Sequence, residues 1–310
     1  MFDLLINFAL GLGLLIWGMR LLKTGLENAA GQGFKHAIQK LTTNPVNGML
    51  TGTVVTALIQ SSTAVSVFSI SLVNAKLMTF EQALGIILGT NIGSTVTAQL
   101  MAFDLQVLAL PAIALGGILF ILSRRSLCWL GLGLVGFGLV FLGIGAMAKG
   151  LEPLSSSPNF LGFLNQLGNN HLYGVGAGAA LAGLIHSSGV TTGMVIVLAS
   201  QNLITLPTAI AIVLGANVGT CLTAVLAAIG GDIGAKRVAV AHVLLNLVGV
   251  LVFLPFLTPY ARMMTALSSD LGRQVANAHT FFNIFSSLAV LPFIRPFVSL
   301  IYTLVPDKQL

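Results

Sequence analysis

The segment LIQSSTAVSV, residues 58–67, places a glutamine, two serines and a threonine side by side inside a long apolar stretch. A second segment, LIHSSGVTTG, residues 184–193, repeats the arrangement with a histidine in the place of the glutamine. An apolar chain that interrupts itself twice with the same polar cluster is typical of a protein with two related functional elements. The rest of the sequence indicates what surrounds these two clusters.

The composition is that of a protein embedded in a lipid bilayer. Of 310 residues, 56% are hydrophobic and 7% are charged, and the mean hydropathy is +0.98. Soluble proteins carry roughly 25% charged residues, and apolar runs of about 20 residues are the length of membrane helices. The net charge of +6 is scattered over helix ends, which excludes a nucleic-acid patch. Cys128 and Cys221 fit buried small side chains without disulfide or metal spacing.

The chain repeats itself at an offset of 126 residues. Ser61-Ser62 then falls on Ser187-Ser188, and LGTNIGS, residues 88–94, falls on LGANVGT, residues 214–220. Self-similarity at one fixed offset marks a structural repeat. We therefore predict one repeat over 1–126 and a second over 127–258, with 259–310 holding a loop and a final transmembrane helix.

Each polar cluster divides a segment that is too short to cross the membrane twice. Each half has about 12 residues, or roughly 18 Å at about 1.5 Å per residue, against a hydrocarbon core of about 30 Å. We predict re-entrant hairpins at about 47–76 and 173–202. The first repeat then has crossings at 2–22, 80–103 and 105–122 and an interfacial segment at 24–41. The second has crossings at 127–147, 206–229 and 238–257 and an interfacial segment at 151–167, and the final helix covers 275–302.

Three crossings is an odd number, so the second repeat starts on the opposite face. The fold class is an all-α integral membrane protein with two inverted-topology repeats, each with a re-entrant hairpin and broken helices, plus one extra C-terminal transmembrane helix. We expect a multi-pass protein of the inner (plasma) membrane, and the positive-inside rule predicts that the C-terminus is cytoplasmic and the N-terminus outside. The basic residues predicted to be cytoplasmic are Arg20, Lys23, Lys35, Lys40, Lys76, Arg124, Arg125, Lys236, Arg237 and Lys308, against Lys149, Arg262 and Arg273 outside.

Broken helices in a bilayer must satisfy their free backbone groups with protein, water or a ligand. The second half of each hairpin presents free N–H groups that favour an anion, and the first half presents carbonyls that favour a cation. This arrangement is typical of secondary transporters that carry an anion together with cations. Because no Asp or Glu lies at the centre of a predicted span, we expect helix dipoles and carried cations to neutralise the anion, without a fixed counter-charge.

Many of these residues are also compatible with a purely structural role. Serines such as Ser66, Ser69 and Ser71 commonly bond back to their own helix, and the glycines of the 88–94 and 214–220 segments are compatible with close helix packing. A further pair of motifs, His242-x-x-x-Asn246 and His279-x-x-x-Asn283, is compatible with a supporting role at the site or with plain hydrogen bonds between helices.

At these motifs the sequence resembles the type II sodium-dependent phosphate cotransporter family. That family has a Gln-Ser-Ser-Ser motif and a Gly-x-Asn-Ile-Gly-Thr segment in each of two inverted repeats, and a His-x-x-x-Asn motif. The resemblance implies sodium-coupled symport of inorganic phosphate by alternating access, with both solutes bound between the hairpins. It implies no enzymatic activity and no cofactor besides Na⁺ as coupling ion. Bacterial members of that family often carry a phosphate-regulatory domain after the last helix, and because this sequence ends at Leu310 we expect that domain to be absent. A separate soluble regulatory protein and a homo-oligomer stay open as partners.

The resemblance assigns residues of this chain to each solute. Phosphate is assigned to Gln60, Ser61, Ser62, Thr63, Ser187, Ser188 and Gly189. Sodium is assigned to Gln60, Ser61, Thr90, Asn91, Ser94, Thr95, His186, Ser187, Asn217 and Thr220, and support to His242, Asn246, His279 and Asn283.

Two residues depart from the family pattern, and other functions stay open. His186 replaces a glutamine, which predicts either pH-dependent transport or a neutral imidazole acting as the amide would. Gly189 replaces a serine and allows a backbone N–H to approach an anion closely. The alternatives are a transporter or exporter of another oxyanion or phosphorylated metabolite, a hydrolase using Ser187 or Ser188, and a phosphate sensor that does not transport.

Overall fold

The computed structural model describes residues 2–122, 126–152, 155 and 157–306, and these residues contain helices and no strands. Arg124, Arg125 and Lys308, which the charge analysis used, lie outside the described residues. Single 3-10 turns precede the sixth, thirteenth and fifteenth helices. The α-helices are α1 Phe2–Ala30, α2 Gly33–Leu41, α3 Pro45–Ile59, α4 Ser62–Asn74, α5 Phe80–Met101, α6 Ala109–Leu122, α7 Ser126–Leu151, α8 Pro158–Asn169, α9 His171–Ile185, α10 Ser188–Ser200, α11 Leu206–Ala228, α12 Ile233–Phe253, α13 Leu257–Thr265, α14 Leu271–Val290 and α15 Ile294–Leu304.

Six helical segments among the described residues are long and apolar enough to cross a membrane, which supports an integral membrane protein. The predicted crossing at 105–122 corresponds to a 3-10 turn followed by the 14-residue helix α6, which is shorter than these six. Its passage through the bilayer therefore stays a prediction. The six segments are Ile6–Ala30, Phe80–Met101, Ser126–Leu151, Leu206–Ala228, Ile233–Thr265 and Leu271–Leu304.

Both polar clusters break a helix where the sequence predicts it. Helix α3 ends at Ile59 and is followed by Gln60, whose backbone is left-handed at φ 57°, ψ 24°. Helix α9 ends at Ile185 and is followed by His186, with φ 56°, ψ 32°. The next helix in each case begins after a serine, Ser61 or Ser187, whose hydroxyl accepts a hydrogen bond from the first turn. The two breaks thus share one geometry: a left-handed residue, a serine cap and a new helix.

Small residues hold the helix pairs around the breaks in close contact. A Cβ added to Gly89 of α5 would lie 2.1 Å from the Met49 carbonyl oxygen of α3, and one on Gly215 of α11 would lie 2.0 Å from the Val175 oxygen of α9. Helices α1 and α7 also pack along their lengths. The glycines of the 88–94 and 214–220 segments therefore have the packing role that the sequence allowed.

Several predicted element boundaries are wrong. The interfacial segment predicted at 151–167 corresponds to α8, which begins at Pro158. The first helix does not end at residue 22 but continues to Ala30, because Lys, Leu, Glu and Ala favour helix and Gly25 allows the α7 backbone to pack closely. The final helix begins at Leu271, which Asp270 caps, and is interrupted at Leu291–Phe293. Pro292 causes this interruption, since proline removes a backbone donor and clashes with the preceding turn.

Candidate functional site

A polar cavity lies where the first turns of α4 and α10 approach each other. Its volume is about 70 Å³. Ser62 and Ser188, the second serine of each motif, both line it, so the structure brings together two clusters that are 126 residues apart in the chain. The residues that line the cavity are Lys23, Ser62, Thr63, Ser66, Val67, Ile70, Asn91, Ser94, His186, Ser187, Ser188, Asn217, Thr220, Thr223, Ala224, Ala227, Val238, His242 and Asn246.

The helix starts at this cavity offer unused donors. The hydroxyl of Ser61 accepts a hydrogen bond from the Ala64 N–H at 3.3 Å, and Ser187 accepts one from Val190 at the same distance. The remaining first-turn N–H groups have no acceptor within their helix. The hydroxyls of Ser62, Thr63 and Ser188 also have no hydrogen-bond partner among the described residues. Hydroxyls and free N–H groups at two helix N-termini are suited to binding an anion.

Gln60 and His186 occupy equivalent positions but point to different surroundings. The Gln60 side chain is buried, donates to the Ala57 carbonyl oxygen at 2.6 Å and accepts a hydrogen bond from the Thr97 hydroxyl. His186 is exposed and lines the cavity. Gln60 and Ser61 are not among the cavity-lining residues, so their assigned contacts with phosphate and sodium stay predictions.

The asparagine of the first Gly-x-Asn segment contacts a histidine from the other half of the chain. The Asn91 Oδ1 atom lies 3.1 Å from His242 Nε2. Asn246, one turn further along α12, donates to the His242 carbonyl oxygen at 3.0 Å. All three residues line the cavity. His242, a predicted supporting residue of α12, thus contacts the predicted sodium ligand Asn91, with Asn246 one turn away.

The second Gly-x-Asn segment has the same arrangement. Asn217 Oδ1 lies 3.0 Å from His279 Nε2 of α14, and Asn283 donates to the His279 carbonyl oxygen at 2.8 Å. His279 and Asn283 are buried and do not line the cavity. The Nδ2 atom of Asn217 and the Nδ1 atom of His279 are buried without a hydrogen-bond partner in the described part of the chain.

Four of the six hydroxyl groups predicted to bind sodium donate back to their own helices. Ser94 donates to the Asn91 carbonyl oxygen at 2.8 Å and Thr220 donates to Asn217 at 3.0 Å, and both line the cavity. Thr90 and Thr95 also bond back but are buried away from it. A hydroxyl that donates to a carbonyl still presents lone pairs that accept a cation.

Eight cavity-lining residues were not predicted as site residues, and two of them, Ser66 and Lys23, had been assigned other roles. Ser66 was expected to bond back to its helix, as Ser69 and Ser71 do at 2.8 and 2.9 Å. It instead lines the cavity, and its spacing of four from Ser62 on one helix is the signal that could have indicated this. Lys23 was assigned to the cytoplasmic surface and also lines the cavity. The sequence carried no corresponding signal, because the predicted crossing ends at residue 22 and only the observed length of α1 places Lys23 within the helix.

The family comparison matches the chain twice. The sequence model of the family described as Na+/Pi-cotransporter aligns with residues 14–149 and again with residues 144–273. Each match contains one Ser-Ser motif and one Gly-x-Asn segment.

Among curated proteins, an uncharacterised protein of Bacillus subtilis, YqeW, is 33% identical over 98% of this chain and 99% of its own length. A Salmonella typhimurium protein named "Putative inorganic phosphate export protein YjbB" is 29% identical over 85% of this chain, which spans about half (49%) of that relative. The human sodium-dependent phosphate transport protein 2B is 37% identical over 73 residues, covering 24% of this chain and 10% of its own. No solved structure matches the chain.

Proposed function

The chain belongs to the Na⁺/Pi-cotransporter family, and from this premise we propose that it is a secondary active transporter that moves inorganic phosphate by symport with Na⁺. The family consists of transporters and not of enzymes, and the protein has membrane-spanning helices. Phosphate and Na⁺ are therefore the proposed solutes, with Na⁺ as coupling ion and no other cofactor.

One observation carries the proposal. The two Ser-Ser motifs, separated by 126 residues, open onto a single polar cavity at the N-termini of α4 and α10. A tetrahedral oxyanion between Ser62 and Ser188 would accept hydrogen bonds from hydroxyls and backbone N–H groups on two sides. Both helix dipoles would present their positive ends to it.

We assign Na⁺ to the oxygen-rich flanks of the same cavity. Asn91 with Ser94, and Asn217 with Thr220, offer neutral oxygens at equivalent positions of α5 and α11. Neutral amide and hydroxyl oxygens suit a monovalent hard cation. The histidines behind each asparagine orient the amide, as outer partners commonly orient ion ligands.

The proposed topology is two inverted repeats, each with a re-entrant hairpin, formed by α3–α4 and by α9–α10. The double match of the family model and the shared geometry of the breaks at Gln60 and His186 support it. The helices of each hairpin have 13 to 15 residues, or about 20–22 Å, which is short for a core of about 30 Å.

The cavity favours alternating access with this structure in an inward-facing state. Thr223 and Ala227, near the C-terminal end of α11, line the cavity, whereas Thr97 and Met101, their equivalents on α5, are buried. The predicted orientation in the inner membrane places the C-terminal end of α11 at the cytoplasm. On that orientation, we propose that the route along the C-terminal end of α11 toward the cytoplasm is the open one, and that the equivalent route along α5 is closed by the buried Thr97 and Met101.

Transport in proteoliposomes tests the proposal. With an inward Na⁺ gradient, the protein should accumulate labelled phosphate, and Ser62→Ala together with Ser188→Ala should abolish accumulation. Ser71→Ala, an exposed serine of α4 outside the cavity, serves as the matched control. Accumulation that is unchanged when K⁺ replaces Na⁺ would contradict sodium coupling.

A second candidate is phosphate export, favoured by the name of the enterobacterial relatives. The same cavity serves either direction, because a symporter moves its solutes down the combined gradient. Cells that overproduce the protein and lose preloaded phosphate to a Na⁺-rich medium would favour export over uptake, and because the Na⁺ gradient opposes that flux, the result would also contradict Na⁺ symport.

A further inference from the structure

Lys23 is a basic cavity-lining residue that belongs to neither Ser-Ser motif. It is partly buried on α1 and lines the cavity with Ser62 and Ser188. Among the described residues no Asp or Glu lines the cavity, and Lys23 has no hydrogen-bond or ion-pair partner there. Withdrawing an ammonium from water without a counter-ion costs free energy. A negative ligand in the cavity would remove that cost.

The packing of α1 brings Lys23 to the anion-binding side of the cavity. The Met19 Cε atom lies 3.5 Å from the position that a Cβ on Gly189 would take, so α1 lies beside the first turn of α10. Lys23 follows Met19 by four residues and therefore lies on the same face of α1, one turn further along. Gly189 follows Ser188 in the second polar cluster, so the face of α1 that contains Met19 and Lys23 is the one that lies next to that cluster.

Only one repeat supplies an ammonium to the cavity. Lys23 falls on Ala148 when Gly25-Leu26-Glu27 is aligned with Gly150-Leu151-Glu152, and on Lys149 at the offset of 126, but Lys149 is exposed and does not line the cavity. The proposed sodium ligands, in contrast, are duplicated in α5 and α11. A single ammonium in a cavity whose Ser62 and Asn91 recur as Ser188 and Asn217 fits a single anion bound between the repeats.

We propose that the Lys23 ammonium is a binding residue for the transported oxyanion and provides the fixed positive charge of the site. This inference rests on the proposed function for the identity of the oxyanion as phosphate. It replaces the expectation that helix dipoles and carried cations alone neutralise the anion. A lysine acts here as a point charge, with Ser62 and Ser188 supplying the directional hydrogen bonds.

Chemical labelling of the purified wild-type protein gives the first test. Saturating phosphate and Na⁺ should protect Lys23 from acetylation by an amine-reactive reagent, measured by peptide mass spectrometry. Lys149, an exposed lysine of α7, should be acetylated equally with and without phosphate. Equal labelling of Lys23 in both conditions, in protein that binds phosphate, would overturn the inference without affecting the proposed function.

Variants give the second test, by equilibrium binding of labelled phosphate in Na⁺ and detergent. Lys23→Gln should weaken binding about tenfold or more, the scale of one lost charge-assisted hydrogen bond, and Lys23→Arg should retain most of it. Arg20→Gln, which removes an exposed cation one turn away on α1, should bind as the wild type does. Unchanged binding by Lys23→Gln, or an equal loss in Arg20→Gln, would contradict a local role for Lys23.

Repeating both tests with sulfate and arsenate distinguishes an error in the proposed anion from an error in the proposed role of Lys23. If the wild type binds one of these but not phosphate, and Lys23→Gln weakens that binding, the proposed substrate is wrong and the assignment of Lys23 holds. If the wild type binds none of the three anions, both proposals are overturned.

Discussion

The imidazole of His279 and the side-chain amide of Asn217 are 3.0 Å apart at the Nε2 and Oδ1 atoms, with His279 only 1% exposed. Asn91 and His242 form the equivalent contact at 3.1 Å. Each asparagine lies between two glycines that are packed against a neighbouring helix. The helix packing fixes the backbone, and the histidine then fixes the direction of the amide.

This contact predicts that His279 controls sodium binding through Asn217. We expect His279→Ala to raise the Na⁺ concentration for half-maximal phosphate uptake by about tenfold, because a buried amide left unpaired costs about 1–3 kcal/mol. The measurement is the Na⁺ dependence of uptake in proteoliposomes. His36→Ala, at an exposed position of α2, is the control. If the variant has lower thermal stability but an unchanged Na⁺ dependence, His279 has only a packing role and the prediction is wrong.

The backbone conformation at the two breaks gives a second prediction. Gln60 and His186 share a left-handed conformation that β-branched side chains rarely adopt. We therefore expect His186→Val to lower stability by about 1–2 kcal/mol and to impair transport. His186→Gln, which restores the residue of the first motif, should retain transport.

Thermal unfolding in detergent and phosphate uptake check this pair of variants. Leu184→Val, at an exposed position of the same helix, controls for the effect of a β-branched residue in α9. If His186→Gln loses transport while it stays as stable as the wild type, the imidazole itself is needed in the cavity.

Close helix packing gives a third prediction. Gly215→Ala places a methyl group where the α9 backbone already lies, so α9 and α11 must separate, and the variant should unfold at a clearly lower temperature. Gly176→Ala on α9 is the matched control, because a Cβ there meets no atom within 4 Å. Similar unfolding temperatures for the two variants would contradict close contact at Gly215.

The sequence was sufficient to predict the two breaks, because adjacent polar side chains within an apolar segment disfavour a continuous helix in lipid, and the offset of 126 residues placed the second break. It was not sufficient for the direction of single side chains. Gln60 turns back to Ala57 and Thr97, while His186 at the equivalent position faces the cavity. That difference depends on the neighbouring helices, which local sequence does not specify.

The sequence was also not sufficient to predict the surroundings of the charged Lys23 side chain. The positive-inside rule assigns a basic residue to a side of the membrane, but it does not say whether the side chain faces lipid, water or a cavity. The length of α1 decides this, since the helix continues to Ala30 and places Lys23 within the helix rather than after it.

The unequal burial of Thr97 and Thr223 gives the last prediction, which tests alternating access. Thr223 lines the cavity, whereas Thr97 is 6% exposed and bonded to Gln60. In a background with Cys128 and Cys221 replaced by alanine, we expect Thr223→Cys to react with a membrane-impermeant maleimide added from the cytoplasmic side. Thr97→Cys should be protected in the same preparation, because its route to water is closed.

Conditions that favour the outward-facing state should reverse the maleimide reactivity of the two cysteine variants. A transporter that alternates must close one route before it opens the other, so Thr97→Cys should become reactive from outside as Thr223→Cys becomes protected. Inside-out and right-side-out vesicles distinguish the two sides, with the level of Na⁺ and phosphate varied on each. Simultaneous reactivity of both cysteines from one side would indicate a continuous pore and would contradict a transporter with alternating access.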